Sequence, residues 1–432
     1  MNENEILRRA YEAWAAGSDF RSRRERCKRF TYGDQWGDES RASFGGPFMT
    51  DAERMVKKGR TPLTNNLIRQ LVKTIVGRYR TMSHEERGYG ESTSRRNALG
   101  ELDSRMLEEF LISGAAVQRV VNERREEGTG VWVDNVDVRR FFVNAYIDPR
   151  GRDIELVGML HDMGLPELVS RFGHGDEARG AALEQVFGEC VATGVFSAEK
   201  VLGAPAPGAE DFFMAGDGAK MRVAEVWTLD AERDGKAGFR YEWRCRIFAP
   251  DGRMLDSFAS PYAGGGHPFV VKLYPLTDGE VHSFVEDLIE NQKYINRLIT
   301  LVDHIMASSA KGALLYPLPE LPDDVSIEDI AQRWASPDGV IPLRDGRTLP
   351  QQICARGTAD GAYQLLNLQM KLFENSTGVS DVLLGRNVSA AVGTENYRAR
   401  VEAATIALSD IFETFGSFLD ARDRRVKRFA KI

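Results

Sequence analysis

From Glu280 to Met306 neither proline nor glycine interrupts the chain. Within that stretch Val281, Phe284, Val285, Leu288, Ile289, Ile295, Leu298, Ile299, Val302 and Ile305 recur at the spacing of one helical face. The pattern predicts a single rod, roughly 40 Å long at 1.5 Å per residue. Two more helices are expected downstream. One covers about Ala362–Asn375, and the last begins near Thr394 with Tyr397, Val401, Leu408, Ile411, Phe412, Phe415, Phe418 and Leu419 as its stripe. Between the rod and its successors lie two irregular segments. The run from Tyr316 to Pro322, with Pro317, Pro319 and Pro322, and the stretch Pro337–Pro350 read as short strands and turns. Gly378–Gly393 reads as a loop bracketed by glycines.

Upstream the pattern is mixed. A helix is expected from Ile6 to about Arg29, broken at Gly17-Ser18, with a strongly basic second half from Arg21 to Arg29. A further helix from Asn65 carries Leu67, Ile68, Leu71, Val72, Ile75 and Val76, with Thr64 as its N-cap. Another is expected from about Asn97 to Val121. The period then shortens: Val131–Val133, Val136–Val138 and Phe141–Val143 read as short strands ending at the turn Asp148–Gly151. Helix returns near Pro166–Phe172, and small and polar residues run on to about Lys220. Arg222–Asp230 and Phe239–Phe248 read as a hairpin.

Hydrophobic residues make up 42% and charged residues 28%, a balance that excludes a disordered chain. No run reaches the ~18 apolar residues of a membrane span, and the acidic start lacks the apolar core of a secretory signal. The chain is therefore expected to stay in the compartment where it is made. A formal charge of −7 argues against wholesale phosphate clamping. Cys27, Cys190, Cys245 and Cys354 lie too far apart for a C-x-x-C motif and read as reduced thiols.

Motifs for catalysis are missing from the sequence. It has no phosphate loop of the G-x-x-x-x-G-K-[ST] type, no H-E-x-x-H and no G-x-S-x-G. Gly264–Gly266 reads as a turn. The six histidines are scattered, and His161-Asp162 would need ligands from elsewhere to hold a metal. Glu286, Asp287 and Glu290 share a helical surface, for which a solvated acidic face is the plainer reading than a cation site. The basic run beside Phe30, Tyr32 and Trp36 invites nucleic-acid stacking, yet a solvated or intersubunit face is again the plainer reading. No catalytic residue, metal or cofactor is assigned.

The order of elements after residue 279 resembles the portal proteins of tailed bacteriophages, in the podovirus-type branch. The stretches Lys28–Trp36, Thr64–Gly77, Asp278–Asp287, Asn291–Arg297, Ser376–Gly385 and Ala404–Leu408 are similar to that family. The resemblance implies an α+β fold with an α/β wing, long stem helices, a small β-containing clip and a long C-terminal wing helix. The wing would cover 1–278, the first stem helix 279–310, the clip 311–357, the second stem helix 358–377, the tunnel loop 378–393 and a wing helix 394–432. A longer member would continue into a crown, which this chain ends too soon to include.

The same resemblance implies a homo-oligomeric ring of about twelve copies around a double-stranded DNA channel at one capsid vertex, with host cytoplasm as the place of assembly. Implied partners are the terminase large subunit, a head-completion, neck or tail adaptor, and the major capsid and scaffolding proteins. Tunnel-loop residues Ser380, Asp381, Arg386, Asn387 and Ser389 would meet DNA. Stem residues Glu286, Asp287, Glu290, Lys293 and Arg297 would line the channel. Pro317, Pro319, Pro322 and Trp334 would form the docking edge of the clip. The rod holds five acidic residues against two basic ones, a wall that would repel DNA phosphates within a Debye length of ~8 Å. The alternatives are a metal-dependent nucleic-acid-processing enzyme using the rod's carboxylates, and a monomeric scaffold or adaptor.

Overall fold

The computed structural model describes residues 3–41, 46–82, 91–126, 128–193, 202, 208–233, 239–262, 264–311, 313–335, 340–353, 359–377, 406 and 408–430. Two compact units divide the chain: one comprises Met1–Tyr32, Ile68–Ile289 and Gly378–Ile432, the other Gly33–Leu67 and Glu290–Thr377.

The first unit is built on an antiparallel five-stranded meander of Phe141–Val143, Leu156–Met163, Met221–Arg233, Phe239–Phe248 and Met254–Ala259. Its centre is the hairpin expected from the alternating pattern, with Met221 opposite Met163 and Arg233 opposite Phe239. Alternation sends neighbouring residues to opposite faces. Val223, Trp227, Cys245 and Ile247 pack on one face with Leu168, Phe172 and Leu183. On the other, Ala224, Val226 and Phe248 meet Ile6, Leu7, Ala10, Trp14 and Phe212. Both faces are thus covered by helices. The segment read as small and polar contributes two of them, Glu177–Thr193 and Ala209–Phe213. Gly158 is required inside this sheet, because a Cβ there would lie 2.2 Å from the Glu225 carbonyl and 2.3 Å from the Phe142 ring.

A second sheet orders Phe269–Leu273, Ala115–Arg125 and Gly128–Asn135. Its middle strand corrects the expected helix to Val121. The helix is Leu99–Ser113 and stops at Gly114, whose φ of +75° turns the chain into the strand. An added Cβ would sit 2.9 Å from the His282 carbonyl and 3.0 Å from that of Tyr274. The C-terminal helix Ser409–Phe429 packs on this sheet, with Phe415, Phe418, Leu419, Val426 and Phe429 buried and the Phe415 ring against Phe110 and Tyr79 of neighbouring helices. Its Arg422 is fully buried and bonded to Asp103 and Asp423. Of the helix expected from Thr394, residues 394–405 and 407 lie outside the described residues. The expected break at Gly17 is present, separating helices Glu3–Ala16 and Ser18–Tyr32.

The expected rod begins later than its apolar stripe. Glu280–Val281 is a short strand paired with Pro275 and Thr277, and Glu286–Leu288 is a 3-10 turn. The continuous α-helix is Ile289–Lys311. A capping box explains the late start: Ser283 Oγ accepts the Glu286 N–H at 3.0 Å, while Glu286 Oε2 faces the Ser283 N–H at 3.4 Å.

The second unit holds this helix, helix Ala359–Thr377, and the hairpin of Glu39–Arg41 with Phe48–Thr50. Helix Asp51–Lys57 follows the hairpin behind a full capping box of Thr50 and Glu53. Thr64 does not cap the helix that follows it. That helix is Leu67–Met82, and Thr64 Oγ1 accepts the Trp36 indole N–H at 3.0 Å.

Candidate functional site

Gln292, Asn296 and Thr300 stand four residues apart on helix Ile289–Lys311 and so share one face. All three are buried, facing the non-helical run 63–66. Thr300 Oγ1 accepts the Leu63 N–H at 3.1 Å, Asn296 Oδ1 that of Asn65 at 3.1 Å, and Gln292 Oε1 that of Leu67 at 3.0 Å. Gln292 Nε2 donates back to the Asn65 carbonyl at 2.7 Å, and Asn296 Nδ2 donates to Gln35 Oε1 at 2.6 Å. Every second N–H of the run is therefore met by every fourth residue of the helix. Buried polar groups on both sides find partners, which pins the helix in one register.

Beside this ladder, Lys293 Nζ lies 3.0 Å from Asp38 and 2.9 Å from Asp51, and Arg297 Nη2 lies 3.2 Å from Asp51. Lys293 and both aspartates are largely buried. The helix side exposed within the unit carries Glu290, Tyr294, Arg297 and Asp303. Of the five expected stem residues, Glu290 and Arg297 are on that side and Lys293 is turned inward. Glu286 and Asp287 belong to the 3-10 turn of the first unit. There Glu286 pairs with Arg23 at 3.7 Å and His282 at 3.3 Å. Partial desolvation and the neighbouring Glu286 carboxylate raise the Asp287 pKa above its ordinary value.

Residues 313–335 and 340–353 form the two arms of an excursion. Strands Ala313–Leu315 and Gln351–Ile353 pair antiparallel at its neck. Beyond them the Tyr316 hydroxyl lies 2.6 Å from the Pro342 carbonyl oxygen, and the Arg344 N–H donates to the Glu320 carbonyl at 2.9 Å. The buried Glu320 carboxylate accepts four consecutive backbone N–H groups, from Asp345, Gly346, Arg347 and Thr348, at 2.8–3.0 Å. These amide bonds lower its pKa. Helix Ile327–Ala335 starts behind a Ser326–Asp329 box.

Among the expected docking residues, Pro319 is exposed while Pro317, Pro322 and Trp334 are half-buried. The sequence reading missed the aliphatic surface around them. Leu315, Leu318, Ile327, Val340 and Leu349 are between 53% and 78% exposed. Exposed Leu368 and Leu372 continue the apolar character onto helix Ala359–Thr377. The tunnel-loop residues Ser380, Asp381, Arg386, Asn387 and Ser389 lie outside the described residues.

The basic run of the first unit is engaged within the chain. Arg21 stacks over the Trp14 ring at 3.7 Å, Arg24 holds Glu109 through two bonds of 2.9 and 2.7 Å, and Arg23 donates to the Val281 carbonyl. His161 Nε2 lies 2.8 Å from the buried Glu225, which Arg119 and the Trp227 indole also bond at 3.2 and 2.8 Å. Burial alone would raise the Glu225 pKa; the Arg119 charge and the His161 bond outweigh it and hold the carboxyl below the ordinary range. Asp162 is taken by Arg222 and by Arg140 at 2.8 Å.

Among the described residues no helix is long and apolar enough to cross a membrane. A family model described as Phage P22-like portal protein matches residues 209–421, from the meander's central strands through the long helix and the excursion into the C-terminal helix. No curated protein matches the chain.

Proposed function

We propose that the chain is a phage portal protein, a reading supported by the P22-like family model matched over residues 209–421, and that its copies close into a ring of about twelve around a channel for double-stranded DNA. The ring would occupy one capsid vertex, admit the genome during packaging in the host cytoplasm, and release it at ejection. The family is structural rather than enzymatic. ATP hydrolysis falls to the terminase large subunit docked on the ring, which a neck or tail adaptor later replaces. Major capsid and scaffolding proteins would hold the wing, residues 1–278.

The observation that carries this reading is the excursion at 313–353. Its backbone is tied internally, yet it exposes Leu315, Leu318, Ile327, Val340 and Leu349. A rigid element with that much exposed apolar surface is suited to a partner, here the clip of the next copy and the docked motor. The helices Ile289–Lys311 and Ala359–Thr377 serve as stem. With Lys293 neutralised by Asp38 and Asp51, the exposed charges described on helix Ile289–Lys311 are Glu290, Arg297 and Asp303, and Lys371 is exposed on helix Ala359–Thr377. The acidic balance of the first helix alone discourages adhesion of a duplex bearing one charge per ~1.7 Å. Residues 378–393 act as the tunnel loop, with Arg386 and Asn387 meeting phosphates.

Native mass measurement and end-on electron micrographs of the purified chain test the assembly. Rings near twelve copies are expected, and a stable monomer at high concentration rejects the reading. Arg386→Ala is expected to assemble normally and to lose DNA packaging or retention; normal packaging by that variant removes the loop's role.

A further inference from the structure

Helices Glu3–Ala16 and Ser18–Tyr32 break at Gly17, and Arg21 reaches back across the break. Its Nη1 donates to the Trp14 carbonyl at 2.6 Å, and its guanidinium carbon stands 3.7 Å over the Trp14 ring. A guanidinium has five N–H donors and no acceptor. Arg21 spends one donor on that carbonyl, and among the described residues it pairs with no carboxylate. Burial lowers its pKa to about 10, with the Asp211 charge opposing the shift, so it remains a cation at neutral pH. A partly desolvated cation without a counter-ion is a costly arrangement unless something outside the chain meets it.

Arg21 lines a cleft of about 610 Å³ in the first unit together with Arg139, Arg140 and Arg222. Asp137 holds Arg139 through Nε and Nη2, while Asp162 is shared between Arg140 Nη2 and Arg222. Those bonds leave Nη1 of Arg139 and Nη1 of Arg140 unspent. The carboxylates lining the cleft are Glu25, which lies 3.3 Å from Arg24, and the exposed Asp211. We propose that this cleft binds a phosphate group, with Arg21 supplying the unpaired charge and Arg139 and Arg140 the further N–H donors. A phosphate suits the donor set because its oxygens accept in several directions, and arginine forks match them in pairs. A single carboxylate presents only one such edge. The proposal does not depend on the ring reading.

The test is calorimetric titration of the full chain with inorganic phosphate, at an ionic strength held constant with chloride. Saturable binding is expected. Arg21→Gln, whose amide can still donate to the Trp14 carbonyl, should bind about tenfold more weakly, the loss of a charge-assisted pair. Asp211→Asn, which takes a carboxylate out of the cleft lining, should bind more tightly. Arg150→Ala, paired with Asp148 and outside the lining, should match the parent. A parallel titration with dimethyl phosphate separates the sources: phosphate bound alone assigns a free or terminal group, and both bound assigns a diester as well. Absence of saturable binding of either probe overturns the proposal, as does parent-like affinity in a folded Arg21→Gln. If that variant fails to fold, unchanged or weaker binding by Asp211→Asn overturns it instead.

Discussion

Asn296 accepts the backbone N–H of Asn65 at 3.1 Å, and both residues are also bonded to Gln292. Two short amide side chains on one helix thereby hold a backbone run more than two hundred residues earlier in the chain. The arrangement is all-or-none in character, since each group removed leaves a buried partner unmet.

Asn296→Leu should therefore cost more than the loss of a surface contact. The Asn65 N–H would be stranded and Gln35 would lose the Asn296 amide, at about 1–3 kcal/mol for a buried group left unsatisfied. Urea unfolding monitored by tryptophan fluorescence would show a lower midpoint. Thr300→Val, which strands only the Leu63 N–H, should fall between this variant and the parent.

Lys293→Met takes the ammonium away from both Asp38 and Asp51, while Asp51 keeps Arg297. Removing one member of a largely buried ion cluster costs about 3 kcal/mol. Adding Asp38→Asn to the same chain should restore part of the loss, because a largely buried carboxylate that has lost the Lys293 ammonium becomes neutral. A double-mutant cycle in denaturant is the measurement, and simple additivity would contradict the coupling.

Glu225 gives a pH dependence whose sign is set by its lowered pKa. Its stabilisation is complete above the unfolded value of about 4.3 and is lost as pH falls through the depressed folded value. Glu225→Gln should be less stable than the parent at neutral pH, with the gap narrowing steadily below pH about 4. Unfolding midpoints collected from neutral to acidic pH compare the two curves, and parallel curves would remove Glu225 from the acid limb.

Gly114→Ala meets two obstacles, a left-handed backbone costing about 1–2 kcal/mol and the carbonyls of His282 and Tyr274 at 2.9 and 3.0 Å. Gly59→Ala meets only the first, having φ +67° and nothing within 4 Å of the added carbon. The difference in melting temperature between the two variants isolates the steric part, and equal shifts would show that the helix-to-strand junction yields.

Much of the first unit was legible because its signals are local. The alternation in 222–230 and 239–248 encodes a hairpin, and Gly17 marks a helix break. Other features were readable but outweighed. The Ser283–Glu286 box lay inside an apolar stripe that ran straight across it, and Gly114 stood before a run of valines read as helix. The buried polar face of helix Ile289–Lys311 was hidden for a different reason. Gln292, Asn296, Thr300 and Lys293 look like the polar side of an amphipathic helix, and only Gln35, Asp38, Asp51 and 63–67, remote in sequence, make that side interior. Glu320 was likewise invisible, since its ligands are amides that carry no residue signature. The basic run Arg21–Arg29 misled in the opposite sense: its charges attract attention, but its partners Glu109, Val281 and Trp14 are within the chain.

In the proposed ring, the three bonds along helix Ile289–Lys311 would bear on how a channel wall withstands a moving genome. Four residues of helix advance about 6 Å, and at each such step Gln292, Asn296 or Thr300 meets one backbone N–H of the 63–67 segment, so the two members mesh with three teeth engaged. Thrust along the axis cannot be relieved by gradual creep; all the teeth must disengage together before the next notch is reached. Force delivered to this helix in the proposed ring would be handed on to the 63–67 segment instead of being dissipated by slippage.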